Sequence, residues 1–125
     1  MEKNAIQIEF LSKGGPYSPV VEAGDFYFFS GQLPIDIGNN IREMDDIKKA
    51  TGICLNNIKR TLDSLGSNLG RVVKVTIYLR DMSYFNDMNE VYKEFFPSDF
   101  PARTCIAVKT IPGDFPIEVE VVALR

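Results

Sequence analysis

Apolar residues recur along this chain with two different periods, and the switch between them sets the class of fold. Ile47, Ala50, Cys54, Ile58, Leu62 and Leu65 fall at helical spacing, as one buried helix face requires. Val73, Val75, Ile77 and Leu79 instead alternate with Lys74, Thr76, Tyr78 and Arg80, the period-two pattern of a half-buried strand. Asp45 or Asp46 can cap the first helix and Gly66 can end it. Gly52 inside it costs about 1 kcal/mol relative to alanine, a cost that close packing would explain. Ser83 can cap a second helix with Phe85, Met88, Tyr92, Phe95 and Phe96 on one face, closed by Pro97.

Strand patterns flank these helices. Ala5 to Phe10, Pro19 to Ala23 and Phe26 to Ser30 precede them, the last two joined across Gly24-Asp25. A polar loop follows through Asn39 and Asn40. Another strand starts just after Pro101, and a final one runs from Ile117 to Ala123 beyond the turn at Pro112-Gly113-Asp114. The order β-β-β-α-β-α-β-β predicts an α+β fold, a mixed sheet with two helices packed on one face. At 125 residues, with no repeat or linker, the chain reads as one domain over 1–125.

Composition narrows the chemistry. The chain has no histidine, which removes Ser-His-Asp and Cys-His nucleophilic sites and every histidine metal site. Cys54 and Cys105 are far apart and lack CxxC spacing. A net charge of −3 argues against a nucleic-acid partner. No apolar run approaches membrane-spanning length and the first residues lack a signal-peptide core, so residence in the cytoplasm is the default expectation. What remains is arginine, carboxylates, hydroxyls, amides, backbone groups and water.

Arg103 is the most informative candidate. It stands at the start of the apolar stretch Ala102 to Val108, sharing a strand face with Cys105 while Thr104 and Ile106 take the other. A guanidinium there needs an anion, and its planar fork suits a carboxylate. Glu118 or Glu120 would supply one internally if the last two strands formed a simple hairpin. A small ligand is the other reading, with one glutamate positioning a water. Cys105 is more often a packed hydrophobe than a nucleophile. Ser30-Gly31 offers a hydroxyl and approachable backbone, Tyr17 a phenol in a loop bounded by prolines, and Asn89 a helix amide near the apolar face.

Several segments, in order, resemble the RidA (YjgF/YER057c/UK114) family of reactive enamine/imine deaminases. They include Gly15-Pro16-Tyr17-Ser18, Ser30-Gly31-Gln32-Leu33-Pro34, Asn57-Ile58, Val73 to Leu79, Asn89-Glu90-Val91-Tyr92, Phe95-Phe96, Pro101 to Cys105 and Ile117 to Glu120. The resemblance implies a chorismate-mutase-like fold in a homotrimeric, barrel-like assembly with sites between subunits. It implies hydrolysis of 2-aminoacrylate/2-iminopropanoate and 2-iminobutanoate, which leak from pyridoxal-phosphate enzymes, to 2-oxo acids and ammonia. No cofactor is implied. In that pattern Arg103 grips the substrate carboxylate with help from the Cys105 backbone N–H, and Glu118 holds the attacking water. Tyr17, Ser30, Gly31 and Asn89 shape the pocket. Ala50, Pro19 and Ser12-Lys13-Gly14 depart from the family's usual residues, changes that bear on the preferred substrate side chain. A regulatory module that binds a small carboxylate without turnover is the alternative. A ribonuclease or translation inhibitor, as some relatives are labelled, fits poorly with an acidic chain lacking histidine.

Overall fold

The computed structural model describes residues Met1–Arg125, and its helix and strand segments form two layers. One is a six-stranded sheet of β1 (Lys3–Ile6), β2 (Val20–Ala23), β3 (Phe26–Phe29), β6 (Val72–Leu79), β7 (Ala102–Ala107) and β8 (Ile117–Leu124). Its spatial order is β1-β2-β3-β8-β6-β7. The other layer is α1 (Ile47–Ser64) against α2 (Phe85–Phe95). Helix residues Ala50, Cys54, Ile58, Leu62, Met88 and Tyr92 share one core with Val75, Ile77, Val119 and Val121 of the sheet. The expected α+β architecture, with both helices on one face, is what the chain adopts.

The last two long strands do not form a hairpin. β6 and β7 are joined through α2, and a connection of that kind makes them parallel, Val75 beside Arg103 and Ile77 beside Cys105. β8 inserts on the other side of β6, antiparallel to both β6 and β3. That insertion closes the middle of the sheet and leaves β7 as an edge. It also removes the hairpin on which an Arg103–Glu118 or Arg103–Glu120 ion pair depended.

Smaller differences have local causes. The polar segment after Pro34 holds a two-stranded ladder, β4 (Ile35–Asp36) with β5 (Ile41–Arg42), turned through Asn40 at φ 54°. Asn57 of α1 donates from Nδ2 to the Ile35 carbonyl at 2.8 Å, so this ladder is tied to the helix layer. An irregularity between Val72 and Lys74 puts Val72 in the core and leaves Val73 exposed, against the simple alternation. Asp46 is the α1 cap, its side chain accepting from the Lys49 N–H. Before α2, Asp81 rather than Ser83 caps a short 3₁₀ turn, because its carboxylate accepts the Ser83 N–H at 2.8 Å.

Gly52 is not forced by crowding. A methyl group there would meet Val91 Cγ1 at 3.9 Å, an ordinary contact. Gly52→Ala should therefore raise the stability to urea unfolding by about 1 kcal/mol, the helix-propensity difference alone. A loss of stability would show that the α1–α2 seam tolerates no added methyl.

Candidate functional site

Arg103 lies on the edge strand β7, and its pairing with buried Val75 aims it at the helix layer rather than the open sheet face. There α2 receives it. Its Nη1 donates to Asn89 Oδ1 at 2.8 Å, and the guanidinium lies 4.7 Å from the Tyr92 ring centroid and 5.6 Å from that of Phe85. Cation–π contacts of this kind contribute about 0.5–2 kcal/mol each. None of the four salt bridges in the chain includes Arg103. Asn89, Tyr92, Lys93, Phe100, Pro101 and Arg103 line a cavity of about 240 Å³. The guanidinium is thus aimed and anchored without being neutralised.

Two neighbours refine this half. The Tyr92 hydroxyl is buried with no hydrogen-bond partner, and burial raises the phenol pKa. Cys105 shares the Arg103 face, and burial pushes its thiol up despite the nearby guanidinium. A thiol held protonated is a poor nucleophile, which favours its reading as packing.

Glu118 lies on β8 opposite Tyr78, and by strand parity both face the open side of the sheet, away from the helices. Gly31 sits directly over it. The flanking Gln32 is clamped to Val119 by two backbone hydrogen bonds of 2.7 and 3.0 Å. A Cβ on Gly31 would fall 1.8 Å from Glu118 Oε2 and 2.7 Å from its Cδ. Only glycine leaves the carboxylate this seat. Burial, and secondarily the charge of Glu120, raise the Glu118 pKa above its ordinary value. Glu120 itself accepts the Tyr78 hydroxyl, a bond that does most to push the Tyr78 phenol up to about 12.

The remaining predicted residues surround Glu118. Ser30 donates its hydroxyl to the Ser18 carbonyl at 2.6 Å and its N–H to that of Pro19, pinning the loop that carries Tyr17. Tyr17 is 55% exposed, its ring packed over Gly15. Tyr17, Ser30, Gly31, Glu118 and Glu120 line one cavity of about 720 Å³ together with Arg42 and Phe115.

The predicted residues therefore divide into two sets. Tyr17, Ser30, Gly31 and Glu118 gather on the open face, and Asn89, Arg103 and Cys105 on the helix side of the edge strand. The chain by itself does not bring Arg103 to Glu118. Sequence reasoning missed Arg42, which stood in an apparently structureless loop, and the aromatic seat of Phe85 and Tyr92, which read only as core. It also missed the Tyr78–Glu120 bond, although their shared strand parity on adjacent strands would have signalled it.

Comparison with known proteins gives consistent matches. The family model described as Endoribonuclease L-PSP matches residues 8–125. A RutC family protein of Pyrococcus abyssi is 43% identical over all of this chain and 99% of its own. A Rid-family protein of Yersinia pestis, YyfA, superposes with a TM-score of 0.93 at 30% identity, covering 99% of this chain and all of that one. TdcF of Escherichia coli, solved with bound serine, superposes with a TM-score of 0.90 at 30% identity over 98% of both chains.

Gly31→Ala provides a direct test of the carboxylate's seat. The added methyl should expel the Glu118 side chain toward solvent, and its pKa, followed by carboxyl ¹³C NMR, should fall toward the ordinary glutamate value. An unchanged titration would mean that Gly31 does not hold Glu118 in place.

Proposed function

The chain belongs to the endoribonuclease L-PSP family, which is also that of the Rid and YjgF proteins, and from that membership we propose that it hydrolyses 2-enamine and 2-imine acids to 2-oxo acids and ammonia. The observation that carries this reading is the condition of Arg103. A half-buried guanidinium, oriented by Asn89 and two aromatic rings and paired with no carboxylate, is prepared for a planar anion from outside. The serine bound to TdcF supports a ligand of that size, since it too carries nitrogen and a carboxylate on one carbon.

In this reading the site is shared between copies of the chain, Arg103 of one meeting Glu118 of the next in a homotrimer. The open sheet face supports it. Phe26, Phe28 and Ile106 there are 38%, 45% and 45% exposed, an apolar surface that a neighbouring copy would cover. Sharing also brings Glu118 beside an Arg103, which its own chain holds on the other side of the sheet.

The chemistry asks little of the protein. Arg103 fixes the substrate carboxylate, each charge-assisted hydrogen bond contributing about 1.5–3 kcal/mol, and the Cys105 backbone N–H assists. The held carboxylate directs C2 toward a water at Glu118. The water oxygen bonds to C2 of the protonated imine as the C=N π pair moves to nitrogen, and Glu118 takes the water's proton, giving a neutral carbinolamine. Glu118 then returns that proton to nitrogen. The C–N bond breaks as the hydroxyl oxygen forms the C=O bond and gives up its own proton, which the departing ammonia carries off as ammonium. A carboxylate with a raised pKa is a better proton acceptor than an ordinary one. Asn89 acts by positioning Arg103, and Ser30 by fixing the Tyr17 loop.

A binding module without turnover is the second reading, which the serine-bound relative equally favours. It is separated by measuring ammonia release. Coupled to an amino-acid oxidase, the wild-type protein should accelerate imine decay. Arg103→Ala should slow that decay by about 10- to 100-fold, the loss of one charge-assisted hydrogen bond. Binding of 2-oxobutanoate with no acceleration of any imine would leave only the module.

A pH series tests Glu118 as the proton acceptor. Activity should rise with pH as Glu118 ionises. Glu120→Gln removes the like charge that helps raise its pKa, so the acid limb should move to lower pH. A limb that stayed in place or moved upward would contradict the assignment.

A further inference from the structure

Arg42 is a second guanidinium without an anion, and it lines the Glu118 cavity from the same chain. It makes no salt bridge, and its side chain donates no hydrogen bond within the protein. Its place is nonetheless built. Strand β5 pairs Arg42 with Ile35, whose carbonyl is fixed to α1 by Asn57 at 2.8 Å. The guanidinium lies 5.1 Å from the centroid of the Phe115 ring. That ring is fully buried, and it occupies space that only a glycine at 113 leaves open. A Cβ there would stand 2.6 Å from Phe115 Cε2, and the residue has φ 74°.

The charges along the cavity differ from place to place. Glu118 and Glu120 stand together on β8, and Glu120 is engaged by the Tyr78 hydroxyl. The cations Arg42 and Lys13 line the same cavity, and neither is in a salt bridge. We infer that the site prefers substrates with a second, distal carboxylate, the dicarboxylic 2-imino acids, and that Arg42 receives that group. This inference rests on the proposed imine chemistry for the substrate class but not for the binding itself. Arg42 is then a specificity residue: Arg103 of one copy takes the carboxylate beside the reacting carbon, and Arg42 of the other takes the far end.

The test compares two unreactive ligands of equal chain length, 2-oxoglutarate and 2-oxopentanoate, by calorimetry on the assembled wild-type protein. 2-Oxoglutarate should bind about tenfold more tightly, the scale of one charge-assisted hydrogen bond at a partly solvated site. Arg42→Met should bring that ratio close to one, and Arg42→Lys should keep part of it. A ratio near one in the wild type, or a ratio unchanged in Arg42→Met, would overturn the inference. So would loss of assembly in Arg42→Met, which would make Arg42 an intersubunit contact. Imine decay from aspartate, glutamate and alanine, measured in parallel, separates the two levels. Acceleration of the alanine-derived imine with no dicarboxylate preference removes only the role of Arg42. An Arg42-dependent preference with no acceleration of any imine removes only the hydrolase.

Discussion

The position of β8 between β3 and β6 governs the rest of the structure. By pairing on that side of β6 it forces β7 to the sheet edge, where α2 can fold over the side chains of one β7 face. Parity does the rest. Glu118 and Glu120 alternate with buried Ile117, Val119 and Val121, so they must face away from the helices. Arg103 neighbours buried Val75, so it must face toward them. A one-residue slip of β8 would turn its carboxylates into the core, and one of β7 would turn Arg103 to the open face.

Each half of the site is then prepared by ordinary packing. On the helix side, Asn89 and the Tyr92 and Phe85 rings orient a cation without discharging it. On the open side, the absent side chain of Gly31 leaves a seat for Glu118 that is dry enough to raise its pKa. The two preparations are complementary. A cation kept free of its own chain's carboxylates can meet an external one, and a carboxylate kept apart from Arg103 of its own chain can accept a proton.

Much of this was legible in the residues. The helix face from Ile47 to Leu62, the capping aspartate and the order of the six sheet strands and two helices follow from periodicity and turn chemistry, and the structure has them. The sharing of one face by Arg103 and Cys105 was also readable from alternation. The partner strand was not. A turn at Pro112-Gly113-Asp114 looks like a hairpin, and local pattern carries no information on which side of β6 the last strand inserts. The bulge at Val73 and the ladder that carries Arg42 escaped for a similar reason. Each depends on contacts with distant segments, the first with β8 and the second with Asn57.

The central claim is that Arg103 and Glu118 act together only across copies of the chain. Mixing the impaired Arg103→Ala and Glu118→Gln proteins under conditions that exchange subunits tests it most directly. If the site is shared in a ring, about a quarter of the interfaces in a random mixture pair an intact arginine with an intact glutamate. Imine hydrolysis should then return to about that fraction of the wild-type rate. No recovery, with exchange verified by native mass spectrometry, would contradict the account.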